Sequence, residues 1–227
     1  IDGEAAGDLS GYSVSLSANG RTVAIGAVSN DAGNANADNR GHVRIYSYNG
    51  SAWIQLGSDI DGEDNNDSSG WSVSLSADGR TVAIGARLND GNGADSGHVR
   101  IYSYGGAAWS QLGSDIDGEA ATDWSGWSVS LSADGRTVAI GARLNDGNGV
   151  DSGHVRIYNI DSLYNTSDII TVGAVFSEPV NVSDTPVLNV LTNLDGTTKS
   201  FSYASGHGTN VLYFTKTISA GENIDPL

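Results

Sequence analysis

The 227-residue chain carries 27 acidic against 11 basic side chains, a formal net charge of −16, and no cysteine. That charge disfavours nucleic acid and anionic lipid, the missing thiols exclude disulfides and thiolate metal sites, and no apolar run is long enough for direct membrane insertion. Gly, Ser, Asn and Asp surround short runs of Val, Ile, Thr, Tyr and Trp, the texture of many short strands in a folded all-β chain.

In chain order, a segment running from Gly11 to Ala27 returns with small changes from Gly70 to Ala86 and again, identical to the second copy, from Gly126 to Ala142. The first interval is the longer, and its excess lies between Ala27 and Gly41. Each copy predicts four strands. In the second copy, strand one covers Trp71 to Ser76, with Trp71, Val73 and Leu75 on one side and serines on the other. An Asp78-Gly79 tip, matched by Asn19-Gly20 and Asp134-Gly135, marks a tight hairpin that tolerates positive φ. Strand two covers Thr81 to Ala86, strand three starts His98-Val99-Arg100-Ile101-Tyr102, and strand four lies around Trp109 to Ile116. One such meander, bulky on one face and small on the other, cannot bury both sides alone. Stacking bulky faces on small ones is the solution expected of β-propeller blades.

The Gly-x-Ser-Val-x-Leu, Asp-Gly and Val-Ala-Ile-Gly-Ala core resembles the FG-GAP repeat of integrin α-subunit propellers, over residues 1 to about 160. The resemblance implies propeller blades used in extracellular adhesion or ligand display. Many members hold calcium in an Asp-x-Asp-x-Asp-Gly loop between the first two strands. Here only Ser76-Ala77-Asp78-Gly79 occupies that place, so that site does not carry over. The expected blades span about 2–60, 61–116 and 117–160, and the third lacks its last strand. Closed propellers typically need at least four blades, so the propeller is incomplete, and open blade edges would allow self-association.

Past Ile160 the repeat stops, and alternating runs begin at Ile169. Val175-Phe176-Ser177-Glu178-Pro179-Val180 with Tyr203-Ala204-Ser205-Gly206 resembles bacterial Ig-like modules of surface proteins. Residues 161–227 are therefore expected to form a partial Ig-like β-sandwich. The chain opens on Ile1 without a signal peptide, which reads as a mature piece of a longer secreted protein.

Candidate metal ligands lie in the loop between strands two and three: Asp90, Asn92 and Asp95, repeated as Asp146, Asn148 and Asp151. Alternating oxygens with intervening glycines suit calcium, and they equally suit plain turns on a solvated edge. A second acidic series, Asp59, Asp61, Glu63 and Asp67 with Asp115, Asp117, Glu119 and Asp123, reads first as strand edge and second as a metal site between blades. His42, His98 and His154 share one repeated position, which points to a common structural job. Trp53 and Trp109, and Trp71 and Trp127 with Tyr12, are expected in packing. Trp124 has no aromatic counterpart and is the candidate ligand contact. His207 stands alone in a Gly-rich turn, no Gly-x-Ser-x-Gly elbow is present and the carboxylates recur with the repeat, so the expected role is a non-catalytic adhesion or ligand-binding module, extracellular or on the cell surface, for a protein or carbohydrate partner. A purely structural stalk is the alternative.

Overall fold

A computed structural model describes residues 1–31, 39–160, 169–191 and 198–217. The strands are β1 (Ser10–Leu16), β2 (Thr22–Ala27), β3 (His42–Tyr48), β4 (Trp53–Gln55), β5 (Ile60–Asp61), β6 (Ser72–Leu75), β7 (Thr81–Ala86), β8 (His98–Tyr104), β9 (Trp109–Gln111), β10 (Ile116–Asp117), β11 (Ser125–Leu131), β12 (Thr137–Ala142), β13 (His154–Asn159), β14 (Ile169–Val180), β15 (Val187–Leu191), β16 (Thr198–Ser205) and β17 (Thr209–Thr217). The described residues are all-β and contain no α-helix. The chain divides into two compact units, Ile1–Ile160 and Asp161–Leu227.

The first unit holds three antiparallel sheets, here sheets I, II and III. Sheet I runs β1-β2-β3-β4, with β5 also on β3; sheet II repeats this with β6 to β10, and sheet III comprises β11-β12-β13. The fourth strand of sheets I and II is thus two short pieces on one partner. β4 pairs with Tyr46–Tyr48 and β5 with His42 and Val43, and the Leu56 amide bonds the Ile45 carbonyl between them. The break falls at Gly57, repeated as Gly113, both at positive φ. The hairpin tip also departs from expectation. Only its glycine takes positive φ, while Asp78 accepts from the Ser76 hydroxyl at 2.6 Å and from the Arg80 amide at 2.9 Å. This short turn offers one carboxylate where the calcium loop of that family has several oxygen ligands.

The sheets stack face to face. Ala24, Val43, Ile45 and Ile60 of sheet I bury Leu75, Val82 and Ile84 of sheet II, with Val73, Tyr102 and Trp109 packed against them. Close approach depends on small residues. A Cβ at Gly26 would overlap the Gly70 carbonyl, and one at Gly85 would overlap that of Gly126. The serines opposite the apolar stripe form the cross-links: Ser13 donates to the Gly70 carbonyl at 2.6 Å and Ser72 to that of Gly126 at 2.8 Å. Ser15 and Ser74 accept from the amides of Leu75 and Leu131, both at 2.9 Å. Each cross-link satisfies a polar group that the tight interface would otherwise strand without water.

The second unit is one antiparallel sheet, ordered β14-β17-β16-β15. Among its described residues Phe201, Leu212 and Phe214 are buried, flanked by Ala174, Val180, Val182, Leu188 and Tyr203. A sandwich needs two facing sheets, and the described residues of this unit form a single one.

Candidate functional site

Three side chains meet at the end of sheet II where strand three begins. His98 opens β8 and is 1% exposed. Its Nδ1 faces Glu63 Oε2 at 3.8 Å and Asp115 Oδ2 at 3.9 Å. Sheet I repeats the arrangement with His42, also 1% exposed, whose Nδ1 lies 3.8 Å from Glu4 Oε2 and 3.7 Å from Asp59 Oδ2. In each group the three ligand atoms lie within 4.8 Å of one another, so either group could hold a metal ion. Among the described residues neither Nδ1 has a hydrogen-bond partner.

Neighbouring groups aim the carboxylates. Glu63 Oε1 faces Arg100 at 3.4 Å, and Arg100 is anchored by a 2.7 Å bond to the Asp61 carbonyl. Gln111 donates to Asp115 Oδ1 at 2.6 Å. In sheet I, Arg44 lies 3.6 Å from Glu4 Oε1, and Gln55 donates to Asp59 Oδ1 at 2.5 Å. One oxygen of every carboxylate is therefore occupied and the other is turned toward the imidazole. Burial, reinforced by Arg100 and opposed by Asp115, pulls His98 down to about 4, and burial also lowers His42. Burial raises Glu63 and Asp117. In sheet III the described counterparts are Glu119 and His154, 3.4 Å apart.

The second acidic series does converge, but not as a single run. Glu63 and Asp67 from before β6 meet Asp115 and Asp117 from the fourth strand, and Asp90 joins them around a cavity of about 490 Å³. Asp67 and Asp123 have a different task. Each is buried and accepts from an asparagine amide 22 residues on, Asn89 at 2.9 Å and Asn145 at 2.8 Å, as Asp8 does from Asn30 at 3.0 Å. Burial raises Asp67 even with this bond. The clamp ties the lead-in to strand one to the exit of strand two, and its signal was the same Asp/Asn spacing in every copy.

The loop candidates are occupied separately. Asp90 accepts the Asp95 amide at 2.8 Å, Asn92 donates to the carbonyls of Gly118 and Glu119 at 2.9 and 3.0 Å, and burial lowers Arg87, an effect that Tyr12 and Asp95 partly oppose. Asp146 accepts the Asp151 amide at 2.8 Å in the same way, and the Asn148 amide donates to Ser152 Oγ at 3.3 Å. Asp90, Asn92 and Asp146 thus close or strap their loops through the side chain, and Asp95, Asn148 and Asp151 through the backbone amide. Trp124 is half-buried at positive φ and stacks on Trp127 with centroids 5.5 Å apart. Trp127 continues a ladder through Trp71 to Tyr12, at 5.0 and 4.7 Å, and Arg87 sits 3.8 Å over Trp71. Trp109 donates from its indole to the Leu56 carbonyl of sheet I at 2.8 Å.

Two stretches, residues 59–102 and 115–158, match the FG-GAP repeat family. No curated protein matches the chain. Among solved structures, hydrazine synthase of Kuenenia stuttgartiensis aligns at 14% identity and a TM-score of 0.40, over 87% of this chain and 56% of that one. A candidate 6-phosphogluconolactonase of Bacteroides uniformis aligns at 13% identity and 0.38, over 91% and 55%. A candidate TolB of Agrobacterium tumefaciens aligns at 12% identity and 0.26, over 92% and 90%. The chain thus spans little more than half the length of the first two. Among the described residues, no helix is long and apolar enough to cross a membrane.

Proposed function

We propose that this chain is a non-catalytic ligand-binding or adhesion module of an extracellular or cell-surface protein, with its three sheets forming an arc of a β-propeller. The observation that carries the reading is the division of labour within each repeat. Strands and their serines, glycines and valines are consumed by sheet-to-sheet packing, while the strand two to strand three connection carries the length difference between copies. A rigid framework with a variable loop is how binding surfaces are commonly presented. The FG-GAP matches support the same reading. The partner class is a protein or carbohydrate on the cell surface or matrix, and the second unit is read as part of an Ig-like module.

A structural stalk is the second reading, favoured because the two sheet interfaces repeat the same contacts and would set length by copy number. Probing glycan and matrix-protein arrays with the full chain separates the two. A saturable hit lost when residues 89–96 are replaced by a Gly/Ser loop supports binding. Inertness on every array, with the protein shown to be folded by its tryptophan fluorescence, leaves the stalk reading in place.

A further inference from the structure

We propose that the groups Glu63, His98, Asp115 and Glu4, His42, Asp59 are two equivalent sites for a divalent cation of the zinc, cobalt or manganese class. The proposal stands apart from the adhesion reading, since it would hold equally for a stalk.

The geometry lacks only a central atom. Separations of 3.7 to 3.9 Å between imidazole nitrogen and carboxylate oxygen exceed hydrogen-bond length. Yet they are close to the ligand-to-ligand spacing around an ion bonded to each at about 2.0–2.2 Å, and all three ligand atoms of each group lie within 4.8 Å of one another. A buried nitrogen without a partner is costly, and among the described residues the same cost occurs in two sheets at the same repeated position. A cation would remove it at both.

The outer contacts are those of a built site. Ligating carboxylates are usually held by further hydrogen bonds that orient the coordinating oxygen. Here Gln111 and Gln55 take the distal oxygens of Asp115 and Asp59, and Arg100 and Arg44 face the distal oxygens of Glu63 and Glu4. Each arginine also offsets part of the local negative charge, leaving room for one dication rather than a cluster. One neutral imidazole with two carboxylates suits borderline metals better than calcium, which takes six to eight oxygens. The acidic cavity beside Glu63 and Asp115 leaves space for water on the remaining coordination positions.

The test uses the full chain stripped with a chelator, titrated with Zn2+, Co2+ and Mn2+ by calorimetry and thermal melting, with Ca2+ as comparison. About two ions per chain should bind and raise Tm, and Co2+ should develop a visible band characteristic of ordered ligation. The double variant Asp59→Asn with Asp115→Asn changes half-exposed residues and should fold, as tryptophan fluorescence would verify. It should weaken binding on the order of 100-fold and abolish the melting shift. His98→Gln alone should halve the stoichiometry. Unchanged stoichiometry in the double variant, or Ca2+ binding as tightly as Zn2+ with His98→Gln without effect, would overturn the proposal in favour of diffuse binding to the acidic surface.

Discussion

Sheets II and III share an identical first hairpin and the same His-Val-Arg-Ile-Tyr third strand, yet their side chains meet different surroundings. Val99 and Ile101 of sheet II are 0% and 1% exposed, whereas Val155 and Ile157 of sheet III are 65% and 71% exposed. Sheet I shows the opposite face bare: Val14 and Leu16 are 64% and 60% exposed, while Leu75 and Leu131 at the position of Leu16 are buried. Burial in this protein is therefore a property of the pair of sheets rather than of the repeat. One sequence supplies both halves of an interface, a Val/Leu/Ile stripe for the sheet before it and a Ser/Ala/Gly face with three apolar knobs for the sheet after it.

Paired substitutions would break or sharpen that contrast. All five tryptophans lie in the first unit, so their fluorescence in urea reports its stability. The largest difference is expected for Ile101→Ala, which should cost about 2–5 kcal/mol, against less than about 0.5 kcal/mol for Ile157→Ala. Equal losses would mean that the exposed face of sheet III is covered in solution, and sedimentation would then show self-association. Next comes Gly85→Ala, whose Cβ would strike the Gly126 carbonyl of the following sheet and should cost about 1–3 kcal/mol. Gly141→Ala meets the rotatable Ser128 hydroxyl of its own sheet and should cost clearly less.

A smaller effect is expected at the serine cross-links. Ser72→Ala removes a donor to the Gly126 carbonyl and strands it, for a loss of about 1 kcal/mol, while Ser128→Ala should be close to neutral. The smallest lies at the hairpin tips. The Ser76 hydroxyl and the Arg80 amide hold Asp78 below the usual carboxylate range. A carboxyl depressed by folding adds stability above its unfolded value near 3.8 and loses it as pH falls through the lower folded value. Urea midpoints compared at pH 7 and pH 3 should therefore converge slightly between wild type and Asp78→Asn. Asn19 fills the same place in sheet I without titrating.

Much of the fold was legible because its signals are local. Alternation in Trp71 to Leu75, the Asp78-Gly79 tip and the Thr81 to Ala86 run each specify a strand or turn within a few residues, and β7 has the expected bounds. Gly57 was not read as a break in strand four, since its surroundings come from the neighbouring sheet, whose Trp109 lies against it and bonds the adjoining Leu56 carbonyl. The site was legible only in parts. Acidic residues near Asp115 and a repeated histidine were both evident, but their meeting joins positions as far apart as Glu63 and Asp115. Asp90, Asn92 and Asp95 could be read from sequence either as a calcium loop or as plain turns, because both draw on the same residue types.

The amino-acid order by itself determined the strand inventory, the repeat and the chemical contrast between the two faces of every sheet, because alternation and turn preference act between neighbours in the chain. Which faces are buried, which glycines admit no side chain, and which oxygens turn toward His42 and His98 were decided only by tertiary structure. Those outcomes depend on close approach between segments tens of residues apart, and identical sequences in sheets II and III accordingly reach different ends.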